Sequence, residues 1–525
     1  MFSKTIRNLL YTGLFLILTL SVQAQSWQFV GSRAMGMGGA GVATAYGPDA
    51  QYWNPAGIAQ DEELNETGLL INVGADMQAT KDALDSIHGL TDMAKKYKHL
   101  KNDINNNATA TSEDISTIFK GMDDISKLID NGQGALVNAN GGMGLKIKNF
   151  AVSARAIGSA SVMPVVDTKN ILFDYGGKKL NFKPAPASLP AAYVDAAKAL
   201  QKAIDDNGVF DGLNTLLGTS YANSKDMAEG LVETAISSGG SEQDILKALG
   251  EATSHVGGAK PLIQDAATAT GNYKDNQTLA MAEAATFGEV ALGYGTRVIP
   301  GLKLGANLKV IDGYTAQSGV MILEDDQKIG KILDKAYDNK KSSVNFGIDL
   351  GGLVNFAELL DRDVALNPQV GLTVHNLNGP KFARPDVQKD LNPAIQEHWN
   401  TDKYQLKPQV RGGVAINPIK NMTLAADLDL TKNDTLLSGI DSRQLGLGME
   451  INLFNRPKFH IPLRVGYNKN LAESQMADFY TAGIGLNMLH FYLELAGAVS
   501  TKTTKIDGHT IPNSAAASLS IGVLF

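Results

Sequence analysis

The feature that most constrains this chain is a series of alternating segments joined by links that are by turns short and long. About 14 segments have the length of a β-strand and carry apolar residues at every second position, most clearly Leu302 to Val310 and Met422 to Leu430. Short links such as Lys148-Asn149 and Pro300-Gly301 alternate with long links such as 165–286. A soluble β-sandwich also has alternating strands, but outer-membrane barrels combine them with tight periplasmic turns and long external loops. The pattern therefore predicts an all-β transmembrane barrel of about 14 antiparallel strands.

The polar residues of these strands share one face, and several of them are charged. Within Leu302 to Val310, for example, Lys303 and Lys309 stand opposite the leucines. Because side chains alternate across a strand, one face suits lipid and the other suits a wet lumen. Lumenal charges of both signs are expected to form ion pairs that stiffen the barrel rather than a catalytic set. The candidate lumenal charges are Lys303, Lys309, Arg411, Asp427, Asp429, Arg464 and Glu494.

The N-terminal residues have the pattern of an export signal. Lys4 and Arg7 precede an apolar run from Leu9 to Leu20, and Val22-Gln23-Ala24 offers a cleavage site with small residues. The run is too short to span a bilayer comfortably, which disfavours a membrane anchor. We predict a cleaved signal peptide over residues 1–24.

The last strand and the composition indicate the bacterial outer membrane and its lipid as the surroundings. Ser514 to Phe525 alternates small or polar residues with apolar ones and ends on phenylalanine, as outer-membrane barrel chains typically do. The absence of cysteine excludes disulfides and thiolate metal sites. A formal net charge of −7 argues against nucleic-acid binding. The chain also has neither a His-Glu-x-x-His nor a Gly-x-Ser-x-Gly motif, so we expect no enzyme, metal or cofactor.

Two long links, at about 79–134 and 187–285, are predicted to be helical inserts. In the first, a helix is expected behind Ser112 as N-cap, with Ile115 and Phe119 on its apolar face. In the second, helices are expected at Tyr193 to Asp206 and Ser241 to Ala252, and a smaller one at Asp326 to Tyr337 follows in a later link. The apolar stripes of such helices have three alternative roles: they pack on each other as a lid, they bind apolar ligands, or they bind a protein partner.

A glycine-rich stretch follows the signal peptide and contains Gly36-x-Gly38-x-x-Gly41. A dinucleotide site would need a helix directly after these glycines. Gly47-Pro48 and Asn54-Pro55 break the chain instead. A compact coil folded inside the lumen is the better interpretation, because glycine permits tight reversals and close backbone approach.

The same stretch resembles the N-terminal signature of the FadL-like outer-membrane superfamily. The matching residues are Arg33, Gly36-Met37-Gly38-Gly39-Ala40-Gly41, Asp49-Ala50 and Tyr52-Trp53-Asn54-Pro55-Ala56-Gly57. In the C-terminal half, the stretches 408–415, 425–433 and 463–467 are most similar to the TraF-like branch of that superfamily. The resemblance covers roughly residues 27–75 and 287–525 and leaves the helical inserts unmatched.

The resemblance implies a lumenal hatch at residues 25–66 and a 14-stranded barrel at residues 67–525. It implies passive uptake of hydrophobic small molecules such as long-chain fatty acids. The alternative is a non-transporting structural or partner-binding component of a secretion or conjugation-type envelope assembly, in which a protein partner binds the helical loops. The implied hatch motif consists of Gly36, Gly38, Gly39, Gly41, Asn54, Pro55 and Ala56.

Overall fold

A computed structural model describes residues 26–60, 67–80, 99–129, 134–173, 177–269, 271–272, 275–321, 338–385, 391, 393–396, 403–456, 459–506 and 509–525. The predicted signal peptide (1–24) and the predicted helix at Asp326 to Tyr337 lie outside these residues. Within the described part of the chain, no helix is both long enough and apolar enough to cross a membrane.

Fourteen antiparallel strands form a closed barrel, as predicted. Each strand pairs with the next one along the barrel, and the last strand closes it against the first, with Gly68 opposite Leu524. The strands are β1 (Thr67–Ala79), β2 (Ala135–Ile147), β3 (Phe150–Val165), β4 (Leu279–Ile299), β5 (Leu302–Met321), β6 (Lys341–Asn355), β7 (Gln369–His375), β8 (Gln409–Ile419), β9 (Met422–Asp429), β10 (Gln444–Arg456), β11 (Phe459–Asn470), β12 (Phe479–Met488), β13 (Phe491–Ser500) and β14 (Ser514–Leu524).

The two faces of each strand meet different surroundings. Along β5, Leu304, Leu308 and Val310 are about half exposed on the outside, whereas Lys303 and Lys309 are buried inside. An apolar outer surface on a closed barrel is the architecture of outer-membrane proteins, because every backbone hydrogen bond is made within the barrel.

Short turns lie at one end of the barrel and long loops at the other, except that the link from β6 to β7, at the short-turn end, spans 356–368. In this link the Asn355 side chain accepts a hydrogen bond from the backbone N–H of Glu358 and starts a helical turn. β8 begins at Gln409, directly after Pro408, which has no N–H for the strand ladder. In the described parts of the loops there are four small two-stranded sheets, at Asn170–Leu172 with Gly271–Asn272, Lys381–Phe382 with Tyr404–Gln405, Asn433–Asp434 with Asp441–Ser442, and Thr503–Ile506 with His509–Pro512.

Loop residues within 99–129 and 166–278 fold into a compact unit, called here the helical cap. Its helices share one apolar core, which is separate from the barrel and includes Leu200, Leu231 and Leu249. The α-helices with both ends in the described residues are α1 (Ser32–Gly36), α2 (Ala50–Trp53), α3 (Ser112–Ile129), α4 (Val194–Asn207), α5 (Phe210–Leu217), α6 (Ser224–Ser237), α7 (Glu242–Ala266), α8 (Phe356–Leu359) and α9 (Pro393–Gln396). Residues 99–105 are also helical.

The predicted helices of the cap need three corrections. The N-cap of α3 is Thr111 rather than Ser112, because the Thr111 hydroxyl accepts from the backbone N–H of Asp114 at 3.1 Å. α7 runs on past Ala252 to Ala266, since its apolar side continues into the cap core. The last residues of the predicted insert 187–285 belong to β4, where they pair with β3.

Candidate functional site

The barrel lumen has three layers, which the inward-facing residues of β4 mark in order. Nearest the long loops, Leu279 and Phe287 belong to an apolar cluster, called here the apolar collar. Glu289 comes next and lines a polar cavity of about 500 Å³. Gly293 and Gly295 follow and lie against residues of the N-terminal segment. The apolar collar consists of Leu136, Met163, Val165, Leu279, Met281, Ala285, Phe287, Ile311, Phe382, Ile395, Tyr404, Leu406, Leu436, Leu437, Ile440 and Met476.

The N-terminal segment, residues 26–60, lies inside the barrel. Its chain reverses at Gly38 and Gly39, whose φ angles of 66° and 85° are readily adopted by glycine. Asn54 is fully buried and organises the far end of the segment. Its Oδ1 accepts from the N–H of Ala56 at 3.1 Å, and its Nδ2 donates to the carbonyls of Val42 at 3.1 Å and of Gly352 at 3.0 Å. One side chain thus ties two parts of the segment to each other and to the wall.

Wall glycines let the backbone of the N-terminal segment approach the strands. A Cβ at Gly305 would lie 2.3 Å from the carbonyl of Pro55, and one at Gly466 would lie 2.3 Å from the amide nitrogen of Gly38. Sequence reasoning missed these residues. Glycines at inward-facing strand positions are the signal that could have found them, because a lumen filled by a coil leaves no room there for side chains. The wall glycines are Gly293, Gly295, Gly305, Gly351, Gly371, Gly413, Gly446, Gly448, Gly466 and Gly483.

The residues of the predicted hatch motif all lie in this segment but contact different strands. Gly36 lies against Gly483 of β12, and the Gly41 N–H donates to Asp427 of β9. The turn formed by Asn54, Pro55 and Ala56 sits on the glycines of β5 and β6. The other two members, Gly38 and Gly39, form the reversal described above.

A buried charge network joins the segment to the wall. Arg464 Nε donates to Glu450 Oε2 at 2.6 Å, and its Nη2 donates to Glu494 Oε1 at 2.6 Å. Arg33 of the segment donates to the same Glu450 oxygen at 3.0 Å. Burial would lower the pKa of Arg33, but the Glu450 carboxylate raises it above the ordinary value. Two arginines and two glutamates therefore form one neutral cluster.

A second cluster surrounds Arg411, which is one of the largest fully buried side chains. Its Nε lies 3.4 Å from Asp429 Oδ1 and 3.9 Å from Asp427 Oδ2. The guanidinium also lies over the rings of Trp27 and Trp53, at 5.2 and 5.7 Å from their centroids. Asp427 Oδ2 in turn accepts backbone N–H groups of the segment at 2.8 Å.

The other two predicted lumenal charges, Lys309 and Lys303, belong to neither of these clusters. Lys309 lines the polar cavity, where its Nζ lies 3.1 Å from Asp349 and 2.8 Å from Asn376 Oδ1. Lys303 lies near the short turns, 3.7 Å from Glu358. Sequence reasoning missed Asp349 and Glu450, and it named Arg33 only as a signature residue, because parity shows that a residue faces inward but not which residue it contacts.

A further buried carboxyl belongs to the segment itself. Burial raises the pKa of Asp49 to about 6, while Arg155 and a hydrogen bond from Asn72 Nδ2 at 2.7 Å oppose the shift. Asp49 lines a cavity of about 490 Å³, which Arg33 and Tyr492 also line.

One described group has the chemistry of a metal site. His99, Asp103 and Asp114 place a ring nitrogen and two carboxylate oxygens within 4.8 Å of one another. The His99 side chain is three quarters exposed and its Nδ1 lies 2.9 Å from Asp103, one helical turn away. Asp114 Oδ2 accepts from the N–H and hydroxyl of Thr111. Helix-surface hydrogen bonds and a cap account for these contacts without an ion.

An apolar cavity of about 520 Å³ lies within the helical cap. Helix α3 contributes Ile118 and Met122, and α7 contributes Leu262. Ile171 and Phe173, which follow β3, form another wall. The lining is mainly aliphatic and aromatic, as it is in pockets that hold apolar small molecules.

Asn54→Ala is expected to lower the free energy of unfolding by about 2 kcal/mol, because it removes three hydrogen bonds and leaves the Val42 carbonyl buried without that donor. The urea midpoint of the protein folded in detergent would measure the loss. Gln60→Ala is the control, since Gln60 Nε2 makes a single bond to Ala45 at the edge of the segment. Equal effects of the two substitutions would contradict the organising role of Asn54.

Comparison with known proteins identifies a family. The family model described as "F plasmid transfer operon, TraF, protein" matches residues 51–429, which is well over half of the chain. No curated protein matches the sequence.

The structure is also similar to several solved barrels. They include the toluene transporter TbuX of Ralstonia pickettii (9% identity, 94% of this chain and 98% of that chain covered, TM-score 0.41), the toluene transporter TodX of Pseudomonas putida (10%, 96% and 99%, 0.37) and a FadL homologue of Pseudomonas aeruginosa (8%, 96% and 99%, 0.38). The predicted resemblance to the TraF-like branch is confirmed by the family match at residues 51–429, and the chain belongs to the family of the F plasmid transfer operon TraF protein.

Proposed function

We propose that this protein is an outer-membrane channel for the passive uptake of hydrophobic small molecules, with long-chain fatty acids as the class that its resemblance implies. The observation that carries the proposal is the mainly aliphatic and aromatic lining of the cavity in the helical cap, at the long-loop end of the barrel. A polar outer leaflet opposes direct partitioning of apolar compounds, so an apolar receiving site lowers that barrier. A cleaved signal peptide at residues 1–24 and a hatch role for residues 25–66 belong to the same proposal.

The route would cross the apolar collar, the polar cavity and the N-terminal segment in that order. The collar offers apolar surface, whereas the segment fills the lumen below it. Arg33, Gly41 and Val42 bond the segment to β9 and β10. These bonds favour a local shift of the hatch over its expulsion as a unit.

The same anchoring favours a second candidate function. A segment that is bonded to the wall at several strands suits a closed barrel that serves as a structural or partner-binding component of an envelope assembly. The helical cap would then present its outer surface to a protein partner. Absence of any apolar-ligand binding would favour this candidate.

Thr117→Phe is expected to weaken binding of a neutral fluorescent probe, N-phenyl-naphthylamine, by about tenfold or more, because the half-buried Thr117 lines the cavity and a phenyl ring would occupy it. Titration of the purified, detergent-folded protein would measure the affinity. Lys120→Phe is the matched control, since Lys120 is exposed on the same helix and does not line the cavity. If the unmodified protein shows no saturable binding, or if both variants lose affinity equally, the proposed uptake through this cavity is contradicted.

A further inference from the structure

The link between β6 and β7, residues 356–368, is built differently from tight turns such as Pro300-Gly301 at the same end of the barrel. It contains helix α8 and crosses the barrel end from the β4–β5 turn to β8. The carbonyl of Gly301 in that turn accepts the N–H of Asn355, just before the link, at 2.8 Å. The carbonyl of Leu366 accepts the N–H of Asn417, near the end of β8, at 2.7 Å. The barrel therefore holds the link at both ends.

Helix α8 has a polar side and an apolar side. On the polar side, the Glu358 carboxylate lies 3.7 Å from Nζ of Lys303, whose side chain is buried inside the barrel. Phe356, Leu359 and Leu360 share the other side, because residues three and four positions apart in a helix are neighbours on its surface. They are 36%, 38% and 48% exposed. The apolar side of α8 is therefore turned away from the lumen.

The apolar side of α8 continues the outer surface of the barrel. Phe346 and Leu350 are exposed on the outer face of β6, and Phe356 follows them at the same parity. Two nearby strands, β4 and β8, end in Ile299 and Ile419, which are also about half exposed. These isoleucines lie close in the chain to the two points where the barrel holds the link. The apolar surface that faces lipid along the strands thus extends onto the link.

Leu366 adds a fourth apolar side chain, and its backbone is strained. Its φ is 67°, in the left-handed region that leucine rarely adopts. The bond to Asn417, and a bond of 3.0 Å from the Asn367 N–H to the Val364 carbonyl, hold this conformation. The Leu366 side chain is nevertheless 49% exposed, so burial within the protein offsets little of the strain. Contact with lipid would supply the missing burial.

We propose that α8, Leu360 and Leu366, called here the membrane foot, insert into the periplasmic leaflet of the outer membrane and contact phospholipid acyl chains. The short-turn end of outer-membrane barrels faces the periplasm, which places the foot at that leaflet. Interfacial anchors combine an apolar side with charged residues that stay in water, and the charged stretch 361–363 directly follows Leu360. Lipid fits better than a periplasmic protein, because one membrane covers both the foot and the outer face of β6. The inference does not depend on transport.

The test measures where Leu360 lies relative to the bilayer. The chain has no cysteine, so Leu360→Cys provides a single site for the polarity-sensitive fluorophore NBD. The labelled full-length protein is folded into phosphatidylcholine vesicles, and quenching by acyl-chain nitroxides is compared with quenching by aqueous iodide. Leu372→Cys, exposed on the outer face of β7, gives the value for lipid, and Lys198→Cys, exposed on the helical cap, gives the value for water. Arg362→Cys is the matched control on the link, since Arg362 is exposed in its charged stretch.

We expect acyl-chain nitroxides to quench the Leu360→Cys label at least about threefold more than the Arg362→Cys label, and iodide to show the reverse order. If iodide quenches the Leu360→Cys label as strongly as the Lys198→Cys label, the apolar side of α8 faces water and the proposal is wrong. If neither quencher reaches the label, protein such as a second copy of the chain covers the site, which also overturns the proposal. Leu366→Cys gives the same comparison if the Leu360→Cys protein lacks the heat-modifiable migration of a folded barrel.

Discussion

Arg464→Ala is expected to lower the free energy of unfolding by about 3–5 kcal/mol, the range for breaking a buried ion pair by removing one partner. Arg464 is 3% exposed and bonds both Glu450 and Glu494 at 2.6 Å. Alanine would leave Glu494, which is fully buried, without its cation. Glu450 would retain Arg33 of the N-terminal segment as its partner.

The loss would be measured as the shift in urea midpoint and in the temperature at which the folded band disappears on a heat-modifiability gel. Lys198→Ala is the surface control, because Lys198 and Asp195 form an exposed pair at 3.8 Å in the helical cap. Exposed ion pairs of this kind contribute little to the free energy of unfolding. An Arg464→Ala protein as stable as the Lys198→Ala protein would mean that water replaces the guanidinium without penalty.

A double variant tests whether the loss comes from the stranded carboxylate. In Arg464→Met with Glu494→Gln, both charges of one pair are removed together, and the Arg33–Glu450 pair at 3.0 Å is retained. The double variant should recover at least about half of the loss, because no unpaired buried charge remains. Additive losses would instead show that the two residues act independently.

The barrel could be predicted because its determinants are local. Side-chain parity along Leu302–Met321 separates Leu304 and Leu308 from Lys303 and Lys309 within a few residues, and the turn at 300–301 is read directly from its neighbours. A one-residue slip would turn the charged residues toward lipid, so the register is strongly specified. The alternating link lengths then show which connections are turns and which are loops, without any knowledge of which strands pair.

The lumenal contacts could not be predicted, since they join residues far apart in the chain. Arg33 contacts Glu450 across more than four hundred residues, and it shares this partner with Arg464 of the barrel wall. The cavity of the cap is assembled in the same way, from Ile118, Ile171 and Leu262. Its walls come from three separate stretches of the chain. Whether space remains between them depends on how these stretches pack, which the sequence does not show.

The second large effect is expected from Gly305→Ala, which should lower the free energy of unfolding by about 3 kcal/mol and displace the N-terminal segment. The new Cβ would lie 2.3 Å from the carbonyl carbon and oxygen of Pro55 and 2.5 Å from the amide nitrogen of Ala56. These are backbone atoms held by the Asn54 hydrogen bonds, so no side chain can rotate away. The steric overlap is relieved only if the N-terminal segment moves away from the barrel wall.

Gly352→Ala is the matched control for this substitution. Gly352 lies on the neighbouring strand, and its Cβ would meet nothing nearer than the Leu304 side chain at 3.7 Å. Both variants add one methyl group to a strand glycine, so a difference between them isolates contact with the segment. Planar-bilayer recordings should show raised ion conductance for Gly305→Ala alone, because a segment moved off β5 leaves a wet path along the wall. Unchanged stability and conductance would mean that the segment yields easily, as a mobile hatch would, and that its many bonds to the wall do not hold it in place.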